Sequence, residues 1–398
     1  MKRERSDDYT IPIGLGPDSN RLGIDPVEYD ESLRKYDEKA SIRLRGSDTV
    51  VVSGYGIHLK VEYESLVIEY EQGHIPNRKK LLRLDRGVHK TKQIFISSHG
   101  GYVSLEAMEW CAQQDITVFV LNWKNDVVQV LTPRQSRNAR IVYLQYAASQ
   151  SKQGVEITRE LIRRKTMQQM VALEQVPEHV IRSGKERLVI YHEGNRVMIS
   201  SRVEYGDPME QFEVGLEKLV SLNDIDSIRI LEAQLARAYW SLFVGISIPW
   251  EQLDMQRVPR HWCKVSERTS GISSTYNASQ ATNPFYAILN FAYALLKAQV
   301  LQSILVHGMD ETVGFLHTSR EGNQALVYDL MEPFRSVVDM SVLALLDKMT
   351  FKRGDFIQSL DGECRLNEGL RRYIITTCRV PNLDIDQFVE HVMEMIVQ

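Results

Sequence analysis

The chain has 398 residues, 43% of them hydrophobic and 25% charged, with a formal net charge of −4. That apolar content can bury a sizeable core, and the length suits two domains. The mild acidity argues against a uniformly basic nucleic-acid binder, so any grip on phosphate has to come from local clusters of Lys and Arg.

Residues 1–48 are polar and charged, punctuated by Gly14, Gly16, Pro17 and Pro26, and read as an extension outside the first folded unit. The opening MKRERSDDYT carries charge but no apolar signal-peptide core, so the expected compartment is cytoplasmic. From Asp48 the pattern turns to strands: TVVVSGY, HLKVEYESLVIEYE, KLLRLDR, QIFISS and ITVFVLNW. Leu59, Val61 and Tyr63, then Leu66, Ile68 and Tyr70, alternate as half-buried antiparallel β. Gly54 and Gly56 frame a GYG with no helix after it, a weak signal for a dinucleotide site. The segment SLEAMEWCAQQ opens on Ser104 and spaces Leu105, Met108 and Trp110 as a short amphipathic helix.

Between Pro133 and Gly154 the chain changes to long helical periodicity, through VEITRELIRRK and MQQMVALEQV. After Pro177, Val189 and Tyr191, then Val197 and Ile199, flank the turn residues Glu193, Gly194 and Asn195, which predicts a β-hairpin within 186–201. In SIRILEAQLARAYWSLF, Glu232 lies among Leu231, Leu235 and Ala236, where an acid needs a partner or a metal. Ala233, Ala236 and Ala238 would let another helix approach closely. The stretch SERTSGISSTYNASQA reads as a surface loop in which Arg268 can reach phosphate. The most apolar helix, Ala287 to Val306, is interrupted by Asn290, Lys297, Gln299 and Gln302, which argues against a lipid-facing span. The last helix presents Phe388, Val389, Val392, Met395 and Ile396 as an apolar stripe. Cys111, Cys263, Cys364 and Cys378 lack metal-type pairing and are expected to be reduced thiols.

Chemistry concentrates in GFLHTSREGNQALVYDLMEPFR, Gly314 to Arg335. If Asp329 opens a helix, three-residue spacing puts Asp329, Glu332 and Arg335 on one face, with His317 just upstream. An imidazole beside two carboxylates and a cation suits a hard divalent ion such as magnesium or manganese acting on a phosphate. The same residues also fit a structural role, with His317 a capped loop residue and Asp329 a helix N-cap. Glu232 would be a third carboxylate, reaching His317 and Glu332 across a helix packing. Basic residues bunch at Arg78 to Arg86, Arg134 to Arg140, Arg163 to Lys165 and Arg257 to Arg268, each a solvated face or part of a phosphate-binding surface.

The E-x-x-x-A-x-x-Y pattern at Glu232, Ala236 and Tyr239, the stretch NPFYAILNFAYALL at Asn283 to Leu296, and the G-F-L-H to Y-D-L-M-E-P-F-R block together resemble the CRISPR adaptation integrase, the larger subunit of the spacer-acquisition complex. The likeness runs from about residue 49 to about residue 375. It implies a metal held by Glu232, His317 and Glu332, with Asp329 as a neighbouring catalytic acid that orients His317 or assists as a ligand. Many members carry aspartate where Glu332 stands. The resemblance further implies DNA contacts by Arg335, with Arg268, Arg237 and Tyr293 assigned to the same role. Relatives often place a tyrosine where Phe291 aligns, so Tyr293 would have to substitute from an adjacent turn. The 186–201 segment departs from the mostly helical family pattern.

These readings predict an α+β protein: a polar extension over 1–48, a β-rich dimerisation and docking domain over 49–150, and a larger helical catalytic domain over 151–398. The expected activity is joining of a DNA 3′-hydroxyl to a target phosphodiester, with magnesium or manganese as cofactor. Expected partners are double-stranded and branched DNA, a second copy of the chain and the small adaptation subunit, with no membrane. Two alternatives stand beside it: a solitary, casposase-like integrase or branched-DNA repair nuclease outside CRISPR, and a non-catalytic DNA-binding scaffold.

Overall fold

The computed structural model describes residues 49–71, 79–98, 100–122, 127–133, 137–175, 189–192, 195–198, 208–266, 281–319, 323–360 and 362–398. The expected extension over 1–48 and the loop carrying Arg268 lie outside these residues.

The α+β expectation holds, with a β-rich amino-terminal region followed by a mainly helical one. Strands β1 (Thr49–Glu62), β2 (Ser65–Glu71), β3 (Lys79–Leu84), β4 (Gln93–Ser98), β6 (Thr117–Leu121) and β7 (Val127–Leu131) lie in the order β3-β2-β1-β4-β6-β7, and β5 (Gly101–Val103) adds to β1. The β1–β2 pair is antiparallel, as the alternation predicts. The β1–β4 and β4–β6 pairs are parallel, which alternation does not reveal, because parallel strands covered on both faces read as continuous apolar runs. In β4, Ile94 and Ile96 enter the smaller core with Val50, Val118 and Trp110. Phe95 points the other way and stacks on Phe119, at 4.6 Å between ring centroids, in the larger core shared with the helices.

The GYG serves the sheet rather than a nucleotide. β1 pairs with β4 up to Gly54 and with β5 from Ile57, and its register with β2 shifts between Tyr55 and His58. Gly54 (φ 149°) and Gly56 (φ 57°) let one strand turn from one pairing to the next. Helix α1 (Leu105–Gln113) is capped by Ser104 as expected, but it buries Ala107, Trp110 and Cys111 and leaves Leu105 and Met108 exposed. The Trp110 indole donates to the Glu64 carbonyl, and that contact sets which face turns inward.

The helical region comprises α2 (Ala139–Ser149), α3 (Lys152–Gln175), α4 (Pro208–Ser221), α5 (Ile225–Ser241), α6 (Pro284–Val306), α7 (Ala325–Lys348), α8 (Glu368–Thr377) and α9 (Asn382–Val397), numbered among the described residues. Strands β8 (Val189–His192) and β9 (Asn195–Met198) pair antiparallel between α3 and α4, and β10 (Phe356–Gln358) pairs with β11 (Cys364–Leu366). Asn283 caps α6 with Pro284 at its first turn; the helix is long and apolar enough to cross a membrane, but it lies in the core against α7, α8 and α9. The stripe predicted for the last helix is buried at Phe388, Val389, Val392 and Ile396. The four cysteines are free, as expected.

A polar seam joins the two regions. Arg371 donates to Ser97 Oγ at 3.0 Å, Arg372 to the Ser53 carbonyl at 2.9 Å, and Arg379 bonds Thr49 and Gln93. Arg371 and Arg372 thus stitch α8 to the sheet.

A Cβ at Gly54 would lie 2.1 Å from the Glu71 carbonyl oxygen, whereas one at Gly56 meets open space. Gly56→Ala should therefore cost only the left-handed strain, about 1–2 kcal/mol, and Gly54→Ala distinctly more, in urea denaturation midpoints. Equal costs would contradict this account of the turn.

Candidate active site

Three elements carry the metal-site residues that the sequence predicts. Helix α5 begins at the Asp224 cap, whose carboxylate accepts from the Ser227 amide, and carries Glu232 in its second turn. Helix α7 carries Asp329, Glu332 and Arg335. It starts at Ala325, so Asp329 lies in its second turn and is not an N-cap. The third element is the loop through Gly314 to Thr318, ahead of α7.

Asp329 organises that loop. Its Oδ2 accepts from the amides of Phe315 (2.5 Å) and Leu316 (3.0 Å), and its Oδ1 from the His317 amide (2.9 Å) and His317 Nδ1 (2.7 Å). With these acceptor positions taken and the side chain fully buried, Asp329 fixes the path of the loop and the orientation of the His317 ring. Burial would lower the His317 imidazole, but the Asp329 hydrogen bond and charge outweigh it and raise it above its usual value. With Nδ1 engaged, Nε2 is the nitrogen left to the site. Gly314 is required by contact: a Cβ there would sit 2.7 Å from Ala325 Cβ and 2.9 Å from Asp329 Oδ2.

Two further clamps hold the loop. Arg229, three residues before Glu232 and hence on the same face of α5, donates to the Leu316 carbonyl at 2.7 Å. Buried Gln145 donates to the carbonyls of Asp310 (2.8 Å) and Val313 (2.7 Å) and accepts from the Asp310 amide (2.9 Å).

Glu232 and Glu332 do converge, but through a residue that sequence reasoning assigned to a surface basic cluster. Helix α3 packs against both α5 and α7. From it Lys165 pairs with Glu232 Oε1, and its Nζ lies 2.6 Å from Glu332 Oε2. The side chains of Lys165, Glu332 and Glu232 are 10%, 6% and 24% exposed, so the pairing is largely shielded from solvent. Of the α5 alanines expected to admit a neighbouring helix, Ala238 is buried, Ala236 half-buried and Ala233 exposed; α5 packs on α3 and on α4, where Gly215 lies against Leu235. A signal for Lys165 existed in retrospect, since Ile162, Thr166 and Gln169 place its helix face inward, but its neighbours Arg163 and Arg164 concealed it. Arg163 and Arg164 instead both pair with Glu160.

Arg335 Nε lies 3.0 Å from Glu332 Oε1, and its guanidinium sits 5.0 Å from the centroid of the Tyr293 ring. The Tyr293 hydroxyl donates to Asp339 Oδ1 at 2.6 Å, and Tyr239 to Asp339 Oδ2 at 2.9 Å. Tyr293 therefore backs Arg335 from inside the bundle, with its hydroxyl committed to Asp339; Phe291 is core. Burial pushes the Glu332 carboxyl up, but Arg335 and Lys165 prevail and hold it at about 2. Arg237 is exposed on α5, as are Arg140, Arg257, Arg260 and Lys264.

Among the described residues, no three His, Cys, Asp or Glu side chains close into one metal-enclosing group. The donor set nonetheless suits a divalent cation. Two carboxylates from separate helices already share one positive charge, which sets their oxygens close enough together to share a cation. Glu232, Glu332 and His317 are the residues that would hold the ion.

This combination, a mixed sheet joined to a helical bundle with acids and a histidine on separate elements, defines an α+β protein with a buried acidic centre. Residues 50–379 match the model of the family described as CRISPR associated protein Cas1. The chain belongs to that family. It is 26% identical over 303 residues to the CRISPR-associated endonuclease Cas1 of Korarchaeum cryptofilum, covering 74% of this chain and 79% of that one. Among solved structures it resembles a casposase bound to integration product, with TM-score 0.66 and 22% identity, covering 87% of this chain and 90% of that one. It also resembles a chain of a Cas6-RT-Cas1–Cas2 complex, with TM-score 0.59 and 15% identity, covering 90% of this chain and 36% of that one.

Asp329→Asn replaces an acceptor oxygen with a donor and leaves at least one buried amide unpaired, at about 1–3 kcal/mol. Chemical denaturation should show that loss, and the His317 ring resonances should move in NMR spectra. An unchanged midpoint with unmoved His317 resonances would contradict the organising role of Asp329.

Proposed function

We propose that this chain is a metal-dependent DNA strand-transfer enzyme that joins a DNA 3′-hydroxyl to a target phosphodiester, as in CRISPR spacer acquisition. The observation that carries this reading is the convergence of Glu232 and Glu332, from separate helices, on one shared positive charge beside His317 and Arg335. Family membership and the fold shared with a casposase bound to integration product support it.

In the reaction the attacking 3′-hydroxyl gives up its proton as its oxygen bonds to phosphorus, the bond to the original neighbour breaks, and the departing 3′-oxygen takes up a proton, so that one 3′-hydroxyl is exchanged for another. One phosphodiester replaces another, so no energy-rich cofactor is needed. A magnesium or manganese ion held by Glu232, His317 and Glu332 would supply Lewis acidity at the scissile phosphate. Asp329 fixes the His317 tautomer and ring orientation, because Nδ1 is committed to its carboxylate. Arg335, braced by Tyr293, holds positive potential where the phosphate would gather negative charge. Exposed Arg140, Arg237, Arg257, Arg260 and Lys264 offer phosphate contacts that position a duplex without reading its sequence. The chain would act in the cytoplasm as a homodimer, with double-stranded or branched DNA and the small adaptation subunit as partners.

The casposase resemblance also favours a second reading, a solitary integrase outside CRISPR. A repeat array and small-subunit gene beside this one support the first reading, and their absence the second.

Glu232→Ala and His317→Ala should each lower strand joining of 3′-hydroxyl oligonucleotides by at least about a hundredfold, with circular dichroism and duplex binding retained. Chelator should abolish parental activity, and manganese restore it. Joining at the parental rate by these variants would refute the assignment and leave a DNA-binding scaffold.

A further inference from the structure

Lys165 is not among the residues that the sequence assigned to the site, yet it occupies its centre. Its ammonium contacts Glu232 Oε1 and Glu332 Oε2, the oxygens a divalent ion would use. Ion–oxygen distances for such an ion are about 2.0–2.2 Å, so the ion and the ammonium cannot share that position. Charge leads to the same conclusion. Lys165 already neutralises part of the charge on Glu232 and Glu332, and a divalent ion brought to the same two oxygens would meet an ammonium that repels it. Arg335 is braced by Tyr293, whereas Lys165 pairs with the two acids themselves.

Resting on the metal-site reading above, we propose that Lys165 is a resident counter-ion of the metal site, holding Glu232 and Glu332 together until a divalent ion displaces it. Without it, two carboxylates face each other in a shielded interior and repel, which ion-free protein can relieve only by moving apart or taking up a proton. With it, helices α3, α5 and α7 are tied together before the ion arrives, and ion binding has to break that tie. Lys165 is thus a positioning residue that sets how tightly the site takes a cation.

The test compares the parental protein with Lys165→Met by titration calorimetry with manganese alone, and by thermal unfolding with and without the ion. Lys165→Met should unfold at lower temperature without metal, bind manganese at least about tenfold more tightly, because a competing charge beside both ligands is gone, and gain more in unfolding temperature on adding it. Equal or weaker binding by the variant overturns the proposal. Absence of manganese binding to parent and variant alike overturns the metal-site reading beneath it. Because Lys165→Met can fail to fold, the parental protein supplies a second measurement: amine acylation read by mass spectrometry. Lys165 should be protected without metal and labelled in saturating manganese. Unchanged protection at saturation overturns the displacement.

Discussion

The structure depends on a buried meeting of charges, Lys165 between Glu232 and Glu332, with Arg335 on the far side of Glu332. Moving such groups out of water costs several kcal/mol per ion, which the pairings offset only if they stay in register. The surrounding helices are therefore constrained to a narrow set of positions. α3 cannot slide along α7 without parting Lys165 from Glu332, and α5 cannot rotate without withdrawing Glu232. A stability-minded core would place apolar side chains here. A charged cluster at this point makes chemical sense as a site able to exchange one cation for another.

The loop before α7 shows a second use of burial. Asp329 lies beneath a chain reversal and collects three backbone amides and an imidazole, so that one carboxylate sets both the path of the loop and the direction of His317. Gly314 allows the loop to approach that closely, and Gln145 and Arg229 tie it to α2 and α5. The histidine thus owes its position to four residues spread over nearly two hundred positions of chain, and only Asp329 and Gly314 are near it in sequence.

Among the described residues, the amino-terminal sheet contributes none to this centre. Its role is to cover the helical bundle along one face, through Phe95 and Phe119 and the polar seam of Arg371, Arg372 and Arg379. That seam explains why runs of basic residues are poor guides to a DNA surface. An arginine at a junction between layers finds backbone carbonyls and hydroxyls, whereas Arg257, Arg260 and Lys264, outside any such junction, remain exposed.

Local patterns carried much of the fold. The alternation around Leu59 and Leu66, the Ser104 cap and the stripe on α9 depend on neighbours within one turn or one strand pair, and all were legible. The residue types of the site were legible for a related reason: Glu232 among apolar neighbours, and His317, Asp329 and Glu332 in a compact block, are costly unless they are paired. Tertiary structure alone decided which pairs form. The parallel register of β1, β4 and β6, the role of the GYG as a turn between pairings, and the inward face of Lys165 all rest on contacts between residues distant in sequence. Lys165 stands beside Arg163 and Arg164 in the chain, and only the packing of α3 between α5 and α7 separates a surface cation from one buried between two acids.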